Sequence, residues 1–155
     1  MTRWLSEDEQ RSWRAWISAS QLVNHRLSQD LQRKHGLTLA DYEILVQLSE
    51  SPDRRMRMSE LADRTYASRS RLSHQVDRMV KKGFVERQEC TVDKRGLFAV
   101  LTDTGWAAIV SAAPDHVASV REHLVDVLPS QDFAALGSAC ETVSSRLMDS
   151  DPQAE

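Results

Sequence analysis

The sequence predicts a mainly α fold with a small β wing. Three observations predict it. Apolar residues recur at three-to-four spacing in the first and last thirds of the chain, as in helices with one buried stripe. The middle carries two shorter helical patterns separated by a turn at Ala67-Ser68. Directly after them, two apolar runs of strand length flank the charged stretch Asp93-Lys94-Arg95-Gly96.

Each element has its own signals. Ser6 followed by Glu9 is a capping box that opens a long helix. Trp13, Trp16 with Ile17, Ser20, Val23, Leu27 and Leu31 mark its inward stripe, and Gly36 ends it. Thr38 with Asp41 opens a second helix through Tyr42, Leu45 and Leu48, which Ser51-Pro52-Asp53 stops. Residues 56–58 are extended and lead into Ser59, expected to cap a brief helix over 60–66. Ala67-Ser68 turns into a helix from Arg69 to Lys82, with Leu72, Val76, Met79 and Val80 on its inner face and Gly83 as a left-handed stop. Strands follow at 84–89 and 97–101. Thr102 caps a helix through Trp106, Ile109 and Val110. Pro114, which supplies no backbone donor, kinks or splits it, and Val117, Val120, Leu124 and Leu128 continue its stripe. Pro129-Ser130 starts a last helix with Phe133, Leu136, Cys140, Val143 and Leu147, and the tail from Asp149 frays.

A length of 155 residues with 41% hydrophobic content supports one domain over 1–155 with a real core. No apolar run approaches the roughly 18 residues of a membrane span. The N-terminus has no basic start before an apolar block, so no secretory signal and no membrane partner are expected. Two cysteines, Cys90 and Cys140, fit free thiols in a reducing cytoplasm. Charge is uneven beneath the formal net of -3: Arg54 to Arg95 holds twelve basic and six acidic residues, whereas the last sixty residues hold two basic and nine acidic. A basic middle between acidic ends points to an anionic partner for the middle alone.

Strand, short helix, turn, helix and two-stranded hairpin together make a winged helix-turn-helix over 54–101. The second helix of such a unit lies in the major groove of DNA. At 100° per residue, Ser70, Arg71, His74, Arg78 and Lys81 lie opposite Val76, flanked by Ser73 and Gln75. Arginine reaches two acceptors of guanine at once and glutamine pairs with adenine. Ser68 and Ser70 offer short donors to phosphate at the helix N-terminus. Arg69 falls near the core stripe. The hairpin tip can reach the neighbouring minor groove, where Arg95 meets concentrated negative potential. Lys94 adds a phosphate contact, and Asp93 fixes an arginine's direction. An ordinary amphipathic helix and a charged loop would show parts of this pattern; the combination, in a basic segment, favours double-stranded DNA. No phosphate-cradling glycine loop, GxSxG or HExxH occurs, so an enzyme is not expected, nor a cofactor or metal.

The stretch SELADRTYASRSRLSHQVDRMVKKGFVERQECTVDKRGLFAVLTDTG closely resembles the DNA-binding core of MarR-family regulators, in its VDRMVKKGFVER block, its DKRG tip and its LTDTG start of the next helix. The long helix before and the two after match the family's order. The resemblance implies a homodimeric transcription factor, usually a repressor, that reads a palindromic operator with helices in successive major grooves about 34 Å apart. It implies dimerisation helices over 5–35 and 102–149. Arg95 resembles the family's wing arginine and Asp93 its aspartate partner, while Ser73 and His74 occupy contact positions of the recognition helix. His74 departs from the arginine of some members.

Many relatives release DNA when an aromatic or phenolic molecule enters a cleft between the dimer region and the winged unit. Trp13, Trp16, His25 and Trp106 are the candidate walls of such a pocket. Aromatics at helical spacing also serve as core or interface. Redox or metal response of the same fold, and a winged helix used only for protein contact, are the alternatives. Cys90 and Cys140 lie away from the N-terminal region that carries the reactive thiol of oxidant-sensing relatives. His25, His35, His116 and His123 are scattered, with no metal-ligand spacing.

Overall fold

The computed structural model describes residues 1–89 and 96–149. The chain runs α1 (Glu7–His35), α2 (Leu39–Ser49), β1 (Arg55–Arg57), α3 (Met58–Arg64), α4 (Arg69–Lys81), β2 (Val85–Glu89), β3 (Leu97–Leu101), α5 (Asp103–His123) and α6 (Ser130–Asp149). Short 3-10 turns lie at Pro52–Arg54 and Val125–Val127. The strands form one antiparallel sheet in the order β1-β3-β2. The architecture is the mainly α winged helix-turn-helix that the sequence predicts.

Caps set most boundaries. Ser6 and Glu9 exchange the reciprocal bonds of a capping box at 2.8 and 3.2 Å, and Thr38 and Asp41 do the same for α2. Gly36 at φ 65° closes α1. Gly83 at φ 76° turns the chain out of α4 into β2, a conformation that any Cβ disfavours. Thr102 caps α5 by accepting from Gly105 N at 3.0 Å.

The short extended stretch expected before α3 is a strand, set one residue earlier at 55–57, with Met56 opposite Ala99. Three local expectations are corrected. Arg57, rather than Ser59, is the N-cap of α3: the extended backbone that ends β1 already has the cap conformation, so the helix starts before Ser59. Pro114 does not split α5, which is one helix from Asp103 to His123. The stripe carried on to Leu128 is not helical, since Leu124 leaves the helix at φ −140° and Leu128 is extended.

The core sits between α2, α3, α4, the sheet and the middle of α5. Leu45, Leu48, Leu61, Val76, Met79 and Ala99 are fully buried in it. Each large apolar side chain removed from water there stabilises the fold by roughly 1.5–3 kcal/mol. Gly105 lies where the first turn of α5 crosses Phe84; a Cβ on it would stand 2.2 Å from the Phe84 carbonyl oxygen. Val80, expected on the inner face of α4, is exposed, and Gln75 takes the inward place beside Val76. In α1 only Leu27 and Leu31 of the predicted stripe are buried; Trp13 and Trp16 are 54% and 47% exposed on the single chain. No helix among the described residues is long and apolar enough to cross a membrane.

Candidate nucleic-acid interface

The second helix of the helix-turn-helix, α4, presents Ser70, Arg71, His74, Arg78 and Lys81 on its exposed side. The apolar residues Leu72, Val76 and Met79 bury the opposite side and fix the helix's rotation. Ser68 is the N-cap, its hydroxyl accepting from Arg71 N at 3.3 Å. The first turn of α4 holds no acidic residue. Its free backbone donors and partial positive end therefore favour an anion.

Two predicted contact residues stand differently. Gln75 is 5% exposed, and its amide donates to Asp41 Oδ1 at 3.5 Å. Asp41 is itself buried and also bound by Lys82 Nζ at 3.1 Å. Gln75 is thus a core tie between α4 and α2, removed from the exposed face because it shares the helix side of Leu72 and Met79. Ser73 is half-buried; its Oγ and its carbonyl oxygen both accept from Arg87 Nη2 at 3.0 Å. Arg87, on β2, also pairs with Asp77 of α4 at 2.9 Å. It braces the hairpin against the second helix, a role that only the three-dimensional neighbourhood reveals.

The sheet adds cations that the helical pattern alone does not reveal. Arg55 and Arg57 flank the single inward residue of β1 and lie over the Phe98 ring at 5.2 and 5.4 Å. Arg57, Arg69 and Arg87 line a cleft of about 280 Å³ with Ser59 and Ser73. Arg69, near the core stripe by angle, is exposed there. Asp93, Lys94, Arg95 and Cys90 lie outside the described residues, in the stretch of sequence between β2 and β3.

The four candidate pocket residues are not brought together. Trp106 lies under the Arg54 guanidinium, 4.0 Å from its ring centroid. His25 belongs to a shallow hollow on α1 with Gln29 and Arg33. Trp13 and Trp16 stand exposed on the first half of α1. A cavity of about 460 Å³ opens instead between α1, α2, α5 and the turn after α3, lined by Leu27, Tyr42, Glu43, Arg64, Tyr66 and His116 among others. Its aromatic walls are Tyr42, Tyr66 and His116, contributed by three separate segments, so no local pattern announces it.

The polar groups of that cavity are tuned by burial. His116 packs on Tyr42 with ring centroids 4.3 Å apart. Burial holds its imidazole below the ordinary value, and its buried Nδ1 has no hydrogen-bond partner among the described residues. Burial, with Glu50 adding, pushes the Tyr42 phenol up. Burial also raises the Glu43 carboxyl, opposed by the nearby Arg71 charge. His123 and His35 have other partners, Asp30 at 3.0 Å and Asp115 at 2.8 Å.

Known proteins share this architecture and sequence. The MarR family model matches residues 35–96. The chain is 30% identical over 112 residues to the HTH-type transcriptional repressor YetL of Bacillus subtilis, covering 70% of this chain and 67% of that protein. It is similar to AbsC, a MarR family transcriptional regulator from Streptomyces coelicolor, at 49% identity and TM-score 0.90, covering 96% of this chain and 99% of that one. It is also similar to Sco3205, a regulator of the same family and organism whose crystal structure is in complex with DNA, at 43% identity and TM-score 0.94, covering 99% and 97%. With its helix-turn-helix, its hairpin and its flanking helices all matched, the chain belongs to the MarR family of transcriptional regulators.

Proposed function

We propose that two copies of this chain form a cytoplasmic dimer that binds a palindromic DNA operator, represses transcription, and lets go when a small aromatic or phenolic effector binds. The observation that carries the DNA reading is the exposed face of α4, where Ser70, Arg71, His74, Arg78 and Lys81 stand together with no acidic residue in the first turn. The complex of Sco3205 with DNA supports it. Arg71 and His74 then face base edges, Ser68 and Ser70 face phosphate, and Arg95 enters the minor groove, oriented by Asp93 with Lys94 on the backbone. The winged core over 54–101 is the reading unit.

Exposed apolar side chains on the terminal helices support the dimer: Trp13 and Trp16 on α1, Val110 and Val117 on α5, and Val143 on α6. A monomer would leave these in water, whereas an isologous interface would cover them. The cavity beside the turn supports the effector. Its aromatic walls suit a flat ring, and the buried, unsatisfied Nδ1 of His116 suits a phenol or carboxylate. An effector that binds better to a dimer with another spacing of its two α4 helices depletes the form that fits the operator.

Selection of bound duplexes from a random pool, repeated in rising salt and with 2-hydroxybenzoate or 4-hydroxybenzoate, tests the whole reading. Enriched palindromes whose binding weakens steeply with salt are expected. Binding that is indifferent to salt and sequence would overturn it, and enrichment untouched by any phenol would remove the effector alone.

A further inference from the structure

We infer that Tyr66 is the residue through which filling of the cavity is transmitted to α4. The inference rests on the effector-regulated reading above and names its route. Tyr66 has φ 51°, in the left-handed region that side chains rarely adopt. The cause is the ending of α3: Ala67 N donates to Ala62 O at 3.0 Å and Tyr66 N to Asp63 O at 3.2 Å, the two bonds of a Schellman stop. That motif places a left-handed residue at the position Tyr66 fills, normally glycine. A bulky aromatic there is strained, and the core does not require it, because Tyr66 is 78% exposed.

The side chain has three engagements instead. It lines the cavity opposite Tyr42 and His116. Its hydroxyl lies 4.0 Å from the Sδ of Met148 in α6. Its backbone stands two residues before Ser68, the cap that fixes the start of α4. A ring entering the cavity displaces the Tyr66 phenol, and the strained stop gives way more readily than a glycine stop would. The displacement moves Ser68 and the first turn of α4, which carries Arg71.

A mutational cycle tests this without any effector. Gln47→Trp, on the half-buried cavity wall, serves as a built-in occupant. Operator affinity is measured with and without it in three backgrounds: Tyr66, Tyr66→Phe and Tyr66→Gly. Gln47→Trp is expected to weaken binding about tenfold in the first two and less than about twofold in the third, where Tyr66→Gly alone leaves affinity near the parent and raises the melting temperature. Equal losses in all three backgrounds, or none in any, would overturn the role of Tyr66. If Gln47→Trp melts without cooperativity, Val46→Phe replaces it. Failure of the hydroxybenzoates to displace DNA would count against the effector reading and leave the outcome of the cycle for Tyr66 intact.

Discussion

At the level of single residues, the cations of the winged unit differ in what holds them. Arg87 is committed to Ser73 and Asp77, so its loss would disturb geometry. Arg71 is exposed and free of a short ion pair among the described residues, one turn from the positive end of α4. Arg71→Ala should relax discrimination at particular base positions by about 1–3 kcal/mol. Competition between the operator and its single-base variants measures this; a uniform loss across all variants would make Arg71 a phosphate contact. A second consequence concerns acid. Asp30 joins α1 to α5 by accepting from Ser119 Oγ at 2.6 Å and meeting His123 at 3.0 Å. Those bonds, Ser119 first, hold its carboxyl below the ordinary 3.8. A lowered carboxyl stabilises the fold fully above the ordinary value, and that contribution disappears as pH falls through the folded value. The melting temperatures of parent and Asp30→Asn should therefore differ most near neutrality and converge from about pH 4 downward. A gap that stays constant with pH would contradict this.

Among the secondary-structure elements, the parts legible in the sequence are those written in short-range chemistry. Ser6 with Glu9, Thr38 with Asp41, Gly83 and Thr102 mark the helix ends, because a cap is a bond between residues a few positions apart. The strands at 84–89 and 97–101 are legible from their length and their charged tip. The inward place of Gln75 is not, because its partner Asp41 lies on another helix and nothing local distinguishes an exposed glutamine from a buried one. Ser59 has the chemistry of a cap without the position, because the strand pairing of Arg57 with Phe98 is a long-range fact. The cavity is hidden for the same reason: Tyr42, Tyr66 and His116 meet only when α2, the turn and α5 pack. The tryptophans, salient in composition, go to an exposed face and to Arg54. The start of α5 offers a test at this level. Gly105→Ala should drive its Cβ into the Phe84 carbonyl and destabilise by about 1–3 kcal/mol, as overpacking does. Thermal melting reads it, and an unchanged midpoint would mean that α5 can shift away from the hairpin freely.

Across the whole molecule, the charge and apolar patterns divide labour. The basic residues gather in the winged middle, and the last sixty residues, with two basic and nine acidic groups, carry exposed Val110, Val117 and Val143. Acidic, apolar ends make poor DNA partners and good partners for a second copy. Val117→Glu should shift the sedimenting species from dimer to monomer at micromolar concentration and weaken operator binding, since one winged unit would have to bind alone. A Val117→Glu protein that remains dimeric would place the interface elsewhere. Hydroxyl-radical footprinting of the purified protein on its selected duplex decides whether two winged units of a dimer read one operator together. Two protected half-sites related by a two-fold axis are expected, with centres about one helical turn apart. Protection of a single half-site, or of none, would contradict it.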